Sequence, residues 1–289
     1  MTDRSTPITI IGAGALGQAL ARSLHAAGRA IELIVSRSDQ RGQVLAEAVG
    51  AQRTHSAEGL SGAAIILCVP DDHIESVAGQ LSPPSSGIVV HCAGARGLDV
   101  LQAAVSAGAH AGSMHPVMVL AQHGRGPEAL RGATAAIEGD EVSGPWLRVL
   151  AEDIGMRAVE IPPEQRALYH LSAALVGGLM TGLLAAAADL WQLFDLDRDT
   201  ATSALAPMVQ EAGRNLEELG IPKVVMGPAA RGDTGTLQRH LEVLADHAPH
   251  LLPLYRELVL MSLPYAREQG LLDVDSATSV KDLIESSRS

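Results

Sequence analysis

Residues 8–24 read ITIIGAGALGQALARSL. Four β-forming residues run into a turn that carries Gly12, Gly14 and Gly17 in G-x-G-x-x-G spacing, and the chain beyond has the apolar period of a helix. Strand, glycine turn and helix in this order form the dinucleotide-binding arrangement. Gly12 permits the tight turn, Gly14 lets the backbone approach a pyrophosphate, and Gly17 lets the helix pack close to the strand. Ala15 and Leu16 complete the turn and open the helix, whose first N–H groups and partial positive charge suit phosphates. Gly12, Gly14, Ala15, Leu16 and Gly17 are therefore expected to contact a cofactor.

The pattern around this stretch repeats. Short apolar runs predict strands at 8–11, 30–35, 65–69, 87–91, 109–113, 133–138 and 157–161. Helical periods fall between them at 15–27, 40–49, 72–81, 97–107 and 142–154, and SPPSSG (82–87) is a turn. Such alternation argues for a parallel sheet with helices on both faces. After IPPEQ (161–165) the strands stop, and helices are expected at 164–194, 198–219, 234–247, 250–269 and near 275–286. Pro163 suits a first helical turn. The expected architecture is an α/β Rossmann dinucleotide-binding domain over 1–161 followed by an all-α domain over 162–289.

Composition narrows the partners. The chain has 289 residues, 47% of them hydrophobic and only 2% aromatic, with a formal net charge of −12. That charge repels phosphate backbones, and base-stacking aromatics are scarce, so nucleic acid is excluded as a partner. Cys68 and Cys92 lie in strand-like runs and are expected as buried thiols, which with the absence of an apolar signal core in MTDRSTPITI points to the cytoplasm. Leu171–Ala188, LSAALVGGLMTGLLAAAA, carries no charge. It nearly reaches the length of a membrane span. With no second span and no flanking basic cluster, it is expected to be a buried central helix and not a membrane segment. Because the helical half alone offers little to cover it, a homodimer is expected.

The end of the second strand chooses between the two nicotinamide cofactors. An acidic residue there would bind the ribose hydroxyls of NAD. This chain instead has Ser36, Arg37, Ser38 and Arg41, two hydroxyls and two guanidiniums suited to a 2′-phosphate, so NADP is expected. Asp39 lies further along and is expected to cap the next helix, as is Asp71. Val69 and Pro70, and Cys92 and Gly94 of HCAGARG (91–97), mark strand ends facing the cofactor crevice. His91 is either satisfied locally or touches the nicotinamide.

Hydride transfer to a carbonyl needs a proton donor, and a carboxylate substrate needs a cation. The two lysines, Lys223 and Lys281, are badly placed for the first task. In GSMHPV (112–117), Pro116 biases His115 toward extended geometry, so His115 is expected at a strand end with its ring aimed into a cleft. His115 titrates near neutrality when unperturbed. His170, beside Tyr169, is its rival as donor. Arg231, after the Gly-Pro turn of MGPAARGDTGTLQRHL (226–241), is the candidate cation for a carboxylate, with Asp233 capping the next helix. His240, His247 and His250 are not read as a metal site, because their spacing crosses Pro249 and no Cys or Glu box accompanies them.

GAGALG (12–17), VPDDHI (69–74), HCAGARGLDVL (91–101), GSMHPV, YHLSAALVGG (169–178) and GPAARGDTGTLQRHL (227–241) together resemble the bacterial Rossmann-like family whose second half is the DUF2520 domain. The resemblance covers nearly the whole chain. It is similar in turn to ketopantoate reductases, pyrroline-5-carboxylate reductases and prephenate dehydrogenases. The resemblance implies an NADPH-dependent reductase of a small carboxylate-bearing 2-oxo acid, ketopantoate-like, or of an imine. The alternative is a non-catalytic NADPH-binding sensor or scaffold. Prephenate dehydrogenases have a similar His-Pro box whose histidine touches substrate, which implies the same for His115. One position departs: where the family commonly carries Asn, eight residues after the His of its YH helix, this chain has Gly178.

Overall fold

The structure is a computed structural model, and it describes residues 4–120 and 126–288. In chain order the first half contains β1 (Ile8–Ile11), α1 (Ala15–Ala26), β2 (Ile31–Val35), α2 (Asp39–Val49), β3 (Gln52–Thr54), β4 (Ala64–Leu67) and α3 (Ile74–Ala78). β5 (Ile88–His91), α4 (Gln102–Ser106), β6 (His110–Val117), β7 (Thr134–Gly139), α5 (Ser143–Asp153) and β8 (Arg157–Glu160) follow. The strands form one eight-stranded sheet in the order β3-β2-β1-β4-β5-β6-β7-β8. All neighbours are parallel except β6 and β7, which run antiparallel.

The sheet is buried on both faces because its strands alternate between two cores. Ile8, Ile10, Ile34, Ile66, Val90 and Met114 pack with α1, α2 and α5, Trp146 among them. Ile11, Val35, Ile65, Leu67 and Val89 point the other way, onto α3 and α4. The strand period of two thus serves two helical layers.

Two local expectations change. Gln52-Arg53-Thr54 forms the edge strand β3, which polar residues disguised. The expected strand at 109–113 does not end before His115-Pro116. β6 continues to Val117, with His115 opposite Ala136 and Pro116 opposite Ala135 of β7. β5 pairs only as far as Ser113, so from there on β6 has no strand partner on that edge among the described residues, a setting in which proline is tolerated.

A single helical run extends over Pro163–Phe194. It comprises a 3₁₀ turn, α6 (Arg166–Ala174), a π-helical turn over Leu175–Leu179, α7 (Met180–Asp189) and a closing 3₁₀ turn. The chain divides into two compact units, Met1–Met180 and Thr181–Ser289, so α6 and the π turn lie with the sheet. In the second unit α8 (Arg198–Leu219) precedes α9 (Thr234–His247), α10 (Leu252–Glu268) and α11 (Val274–Ser286). Leu237, Leu241, Val259, Leu263, Val280 and Ile284 of α9, α10 and α11 make this unit's core.

The expectation that Leu171–Ala188 is a buried central helix is not met within one chain. Over that segment only Gly177 and Ala188 are buried. Leu168, Leu171, Leu175 and Leu179 form a stripe three or four residues apart, each more than half exposed.

Candidate active site

The glycine turn after β1 closes on the end of β4. Gly12 has φ +112, a backbone conformation that side-chain-bearing residues rarely adopt, and a Cβ there would also strike the Cys68 carbonyl. A Cβ at Gly17 would strike the Gly12 carbonyl, so this glycine sets the approach of α1 to the turn. Nothing lies within 4 Å of where a Gly14 Cβ would be. Gly14 is the residue before α1, no side chain caps that end, and the first turn holds no acid. The free N–H groups of a twelve-residue helix therefore point at open space, which is what a pyrophosphate needs.

That space is a cleft of about 780 Å³. Gly12, Gly14, Val69 and Pro70 line one part of it, and Ser36, Arg37, Ser38 and Arg41 line another. Ala15, Leu16 and Gly17 support the turn from behind and are not among its walls. Neither are Cys92 and Gly94: Cys92 is buried, its Sγ 4.0 Å from that of Cys68, and both cysteines are free thiols. The hydrogen bond with Cys68, and then burial, push the Cys92 thiol above its ordinary range.

The loop after β2 has the chemistry of a 2′-phosphate pocket. The Ser38 backbone N–H donates to Ser36 Oγ, and Ser38 Oγ accepts from the Arg41 N–H as the cap of α2. Asp39 does not cap. Its carboxylate takes the Arg53 guanidinium at 2.5 Å with His55 beside it, and the Arg53 bond holds it below the usual carboxylate range. The acid of this loop is thereby occupied. Arg37 and Arg41 are exposed and form no ion pair among the described residues. Asp71 likewise makes no side-chain cap; it opens a 3₁₀ turn after Pro70.

A second cluster sits where β5, β6 and α6 meet. His91 is fully buried, accepts from the Ala93 N–H at Nδ1 and donates from Nε2 to the Gly97 carbonyl at 3.1 Å. It is satisfied locally and locks the loop that holds Gly94. Burial, with Arg166 beside it, lowers His91 to about 4.

Gly94 owes its place to close approach. A Cβ there would strike His170 and lie 3.0 Å from Cε1 and 3.1 Å from Nε2 of His115. The two histidine rings meet edge to face with centroids 5.8 Å apart. So the structure brings the candidate donors His115 and His170 together over a bare glycine. Arg231 belongs to the second unit. It is exposed at the end of a 3₁₀ turn, and Asp233 caps α9 by accepting from the Thr236 N–H.

Two residues to which the sequence analysis assigned no role complete the cluster. Arg166 is 2% exposed. It donates to Glu138 at 2.6 Å, to the Ala93 carbonyl at 3.2 Å and to Ser113 Oγ, tying α6 to β5, β6 and β7. Burial pushes the Glu138 carboxyl up, with Arg166 acting against it. Tyr169 places its hydroxyl 2.7 Å from His115 Nδ1. The signal was present: Arg166, Tyr169 and His170 stand at i, i+3 and i+4, one face of a helix.

Electrostatics follow from this packing. Burial, the neighbouring His170 and the Arg166 charge pull His115 down to about 4, so its ring is neutral at pH 7. A neutral ring can donate or accept a hydrogen bond and carries no imidazolium charge. Burial raises Tyr169 to about 12, which keeps its hydroxyl protonated. Gly178 lies in the exposed π turn with no atom within 4 Å of a would-be Cβ.

Residues 7–94 match the family described as NADP oxidoreductase coenzyme F420-dependent. Residues 133–261 match the domain of unknown function DUF2520. No curated protein matches the chain. Among solved structures, a "putative NADP oxidoreductase" of Bacteroides fragilis is 25% identical, with a TM-score of 0.74, over 90% of this chain and 98% of that one. A Thermotoga maritima protein is 22% identical, with a TM-score of 0.72, over 91% and 99%. A pyrroline-5-carboxylate reductase of Coxiella burnetii is 19% identical, with a TM-score of 0.58, over 97% and 99%. The last two likenesses show the fold. With the glycine turn, the basic loop after β2 and both matched segments on one chain, the protein is an NADP-dependent oxidoreductase with a Rossmann-like first half and a second half similar to DUF2520.

Proposed function

We propose that the chain reduces the carbonyl of a small 2-oxo acid, ketopantoate-like in size. The observation that carries this reading is the neutral His115–Tyr169 pair held beside the buried Arg166 guanidinium. Bound NADPH supplies the hydride. The protein's residues have then to stabilise and protonate the oxygen. A neutral imidazole N–H is a donor for that oxygen, and the positive field of Arg166 favours an oxyanion as it develops. The same field and burial keep His91 and His115 uncharged, so they also disfavour an iminium cation. This argues for C=O over C=N, although the fold is shared with pyrroline-5-carboxylate reductases.

The test is NADPH oxidation against a panel of 2-oxo acids, cyclic imines and prephenate. Turnover is expected with a branched 2-oxo acid and not with the imines. Turnover confined to imines would replace the carbonyl by C=N. NADPH binding without any turnover would favour a sensor or scaffold.

We also infer a homodimer. The helical run Pro163–Phe194 is 32 residues long and is by length and composition able to cross a membrane. Its first turns, however, are fastened to the sheet through Arg166 and Tyr169. A second copy is the cover proposed for the leucine stripe of α6 and the π turn. Light scattering at micromolar concentration should give twice the 30.0 kDa chain mass. A single-chain mass, or detergent-dependent solubility, would rule the dimer out.

A further inference from the structure

The Tyr169–His115 contact has a chemical direction. A neutral imidazole has one N–H donor and one acceptor nitrogen. Nδ1 faces the Tyr169 hydroxyl at 2.7 Å, with the rings edge to face at 5.8 Å between centroids. Nε2 lies on the side of Gly94, and no hydrogen bond from the described residues reaches it. The charged and titratable groups that face the ring are Tyr169, His170 and Arg166, all from α6, and Arg166 is itself paired with Glu138 of β7.

We propose that Tyr169 is a positioning residue for proton delivery: its hydroxyl holds His115 in the Nε2–H tautomer and reprotonates Nδ1 when Nε2 gives up its proton. The proposal rests on the reductase reading above. The opposite tautomer, with Nδ1–H donating to the tyrosine oxygen, would leave a bare Nε2 facing the substrate, and a bare nitrogen cannot protonate an oxygen.

The proton balance is as follows. The substrate oxygen, holding the former C=O electron pair, forms an O–H bond as the His115 Nε2–H bond breaks. Nδ1 forms an N–H bond as the Tyr169 O–H bond breaks. The bonding pair stays on the phenolate oxygen; once product has left, Nε2 takes a proton from the buffered solvent as the Nδ1–H bond breaks and returns its proton to the phenolate, which restores the Nε2–H tautomer. Tyr169 is half-buried, and the solvent proton enters at Nε2 on the Gly94 side and not through the groove of about 290 Å³ lined by Leu168, Leu171 and Leu175, which the proposed second copy covers. An alkoxide is far more basic than a phenolate, so the transfer runs toward product even with Tyr169 raised to about 12. The imidazole remains neutral before and after, which suits a place that resists a second positive charge.

Side-chain ¹⁵N NMR of the histidines, with Tyr169→Phe as the variant, reads the tautomer without any substrate. The native protein should show His115 as Nε2–H alone between pH 5.5 and 8, on the order of a unit or more above its pKa of about 4. Tyr169→Phe should give a mixture of tautomers with unchanged NADPH affinity. On the accepted 2-oxo acid, kcat should fall about tenfold to a hundredfold while KM stays put. A native Nδ1–H tautomer, or a variant with native tautomer and native kcat, overturns the proposal. If the phenylalanine variant fails to fold, fluorinated tyrosine at 169 keeps the hydroxyl while making it more acidic. The alkaline limb of kcat should then move to lower pH, and an unmoved limb again overturns it. A panel with no turnover defeats the reductase reading, while the NMR result still decides whether Tyr169 sets the tautomer.

Discussion

Replacing His115 by alanine should lower turnover of the accepted 2-oxo acid by about 10²–10⁴-fold and leave NADPH affinity nearly unchanged. That is the range by which a positioned proton donor contributes, about 3–5 kcal/mol of transition-state stabilisation. The two halves of the prediction come from geometry. His115 stands on β6 over Gly94, whereas the cleft of the glycine turn is lined from β1, β2 and the end of β4. The loss should therefore appear in kcat more than in KM, because a donor to the oxygen acts mostly once negative charge develops there. Steady-state kinetics with a fluorescence titration of NADPH checks both halves. Full turnover in the variant would move proton delivery to His170, whose ring shares the surface of Gly94.

Arg37→Asp should weaken NADPH binding by about tenfold to a hundredfold while changing NADH affinity by a factor of two or less. A hydrogen bond to a charged group contributes about 1.5–3 kcal/mol, and a carboxylate at this position adds repulsion. Only the 2′-phosphate distinguishes the cofactors, so only NADPH should respond. Arg37 is exposed, and its replacement should not disturb the fold, because the turn is held by Ser36, by Ser38 and by the Arg53–Asp39 pair. Titration of both cofactors against native and variant protein decides it. Equal losses for NADPH and NADH would mean that Arg37 contacts a part common to both and that the selective charge lies elsewhere, with Arg41 next in line.

The central strands β1, β4 and β5 were legible because each is a short apolar run ended by a turn signal and is buried throughout. β3 was not, because Gln52-Arg53-Thr54 is a polar edge strand whose pairing with β2 is decided by the sheet and not by its own residues. The His-Pro box misled in a related way. Proline is a reliable local stop, yet β7 pairs with β6 beyond it and carries the strand to Val117. The run Leu171–Ala188 announced a helix but not its surroundings: apolar composition states that a face wants cover, and in the single chain most of that face has none.

The cofactor end of the protein was determined by sequence alone. Glycine spacing, a preceding strand, and serines and arginines after the second strand act locally, over a few residues each, so order along the chain suffices to identify them. The candidate catalytic cluster was decided by tertiary structure. Gly94, Glu138, His115 and Arg166 are separated by tens of residues and converge only because β5, β6, β7 and α6 are neighbours in the fold. Whether His115 is charged is settled by what surrounds it. Burial, a second imidazole and a guanidinium remove the proton that its unperturbed chemistry would retain in mild acid. Arg231, assigned from its motif, lies on the second unit, and its role rests on sequence. Local pattern names residue types, but the charge state and partner of a buried group depend on desolvation and on distant neighbours, and these exist only once the chain has folded.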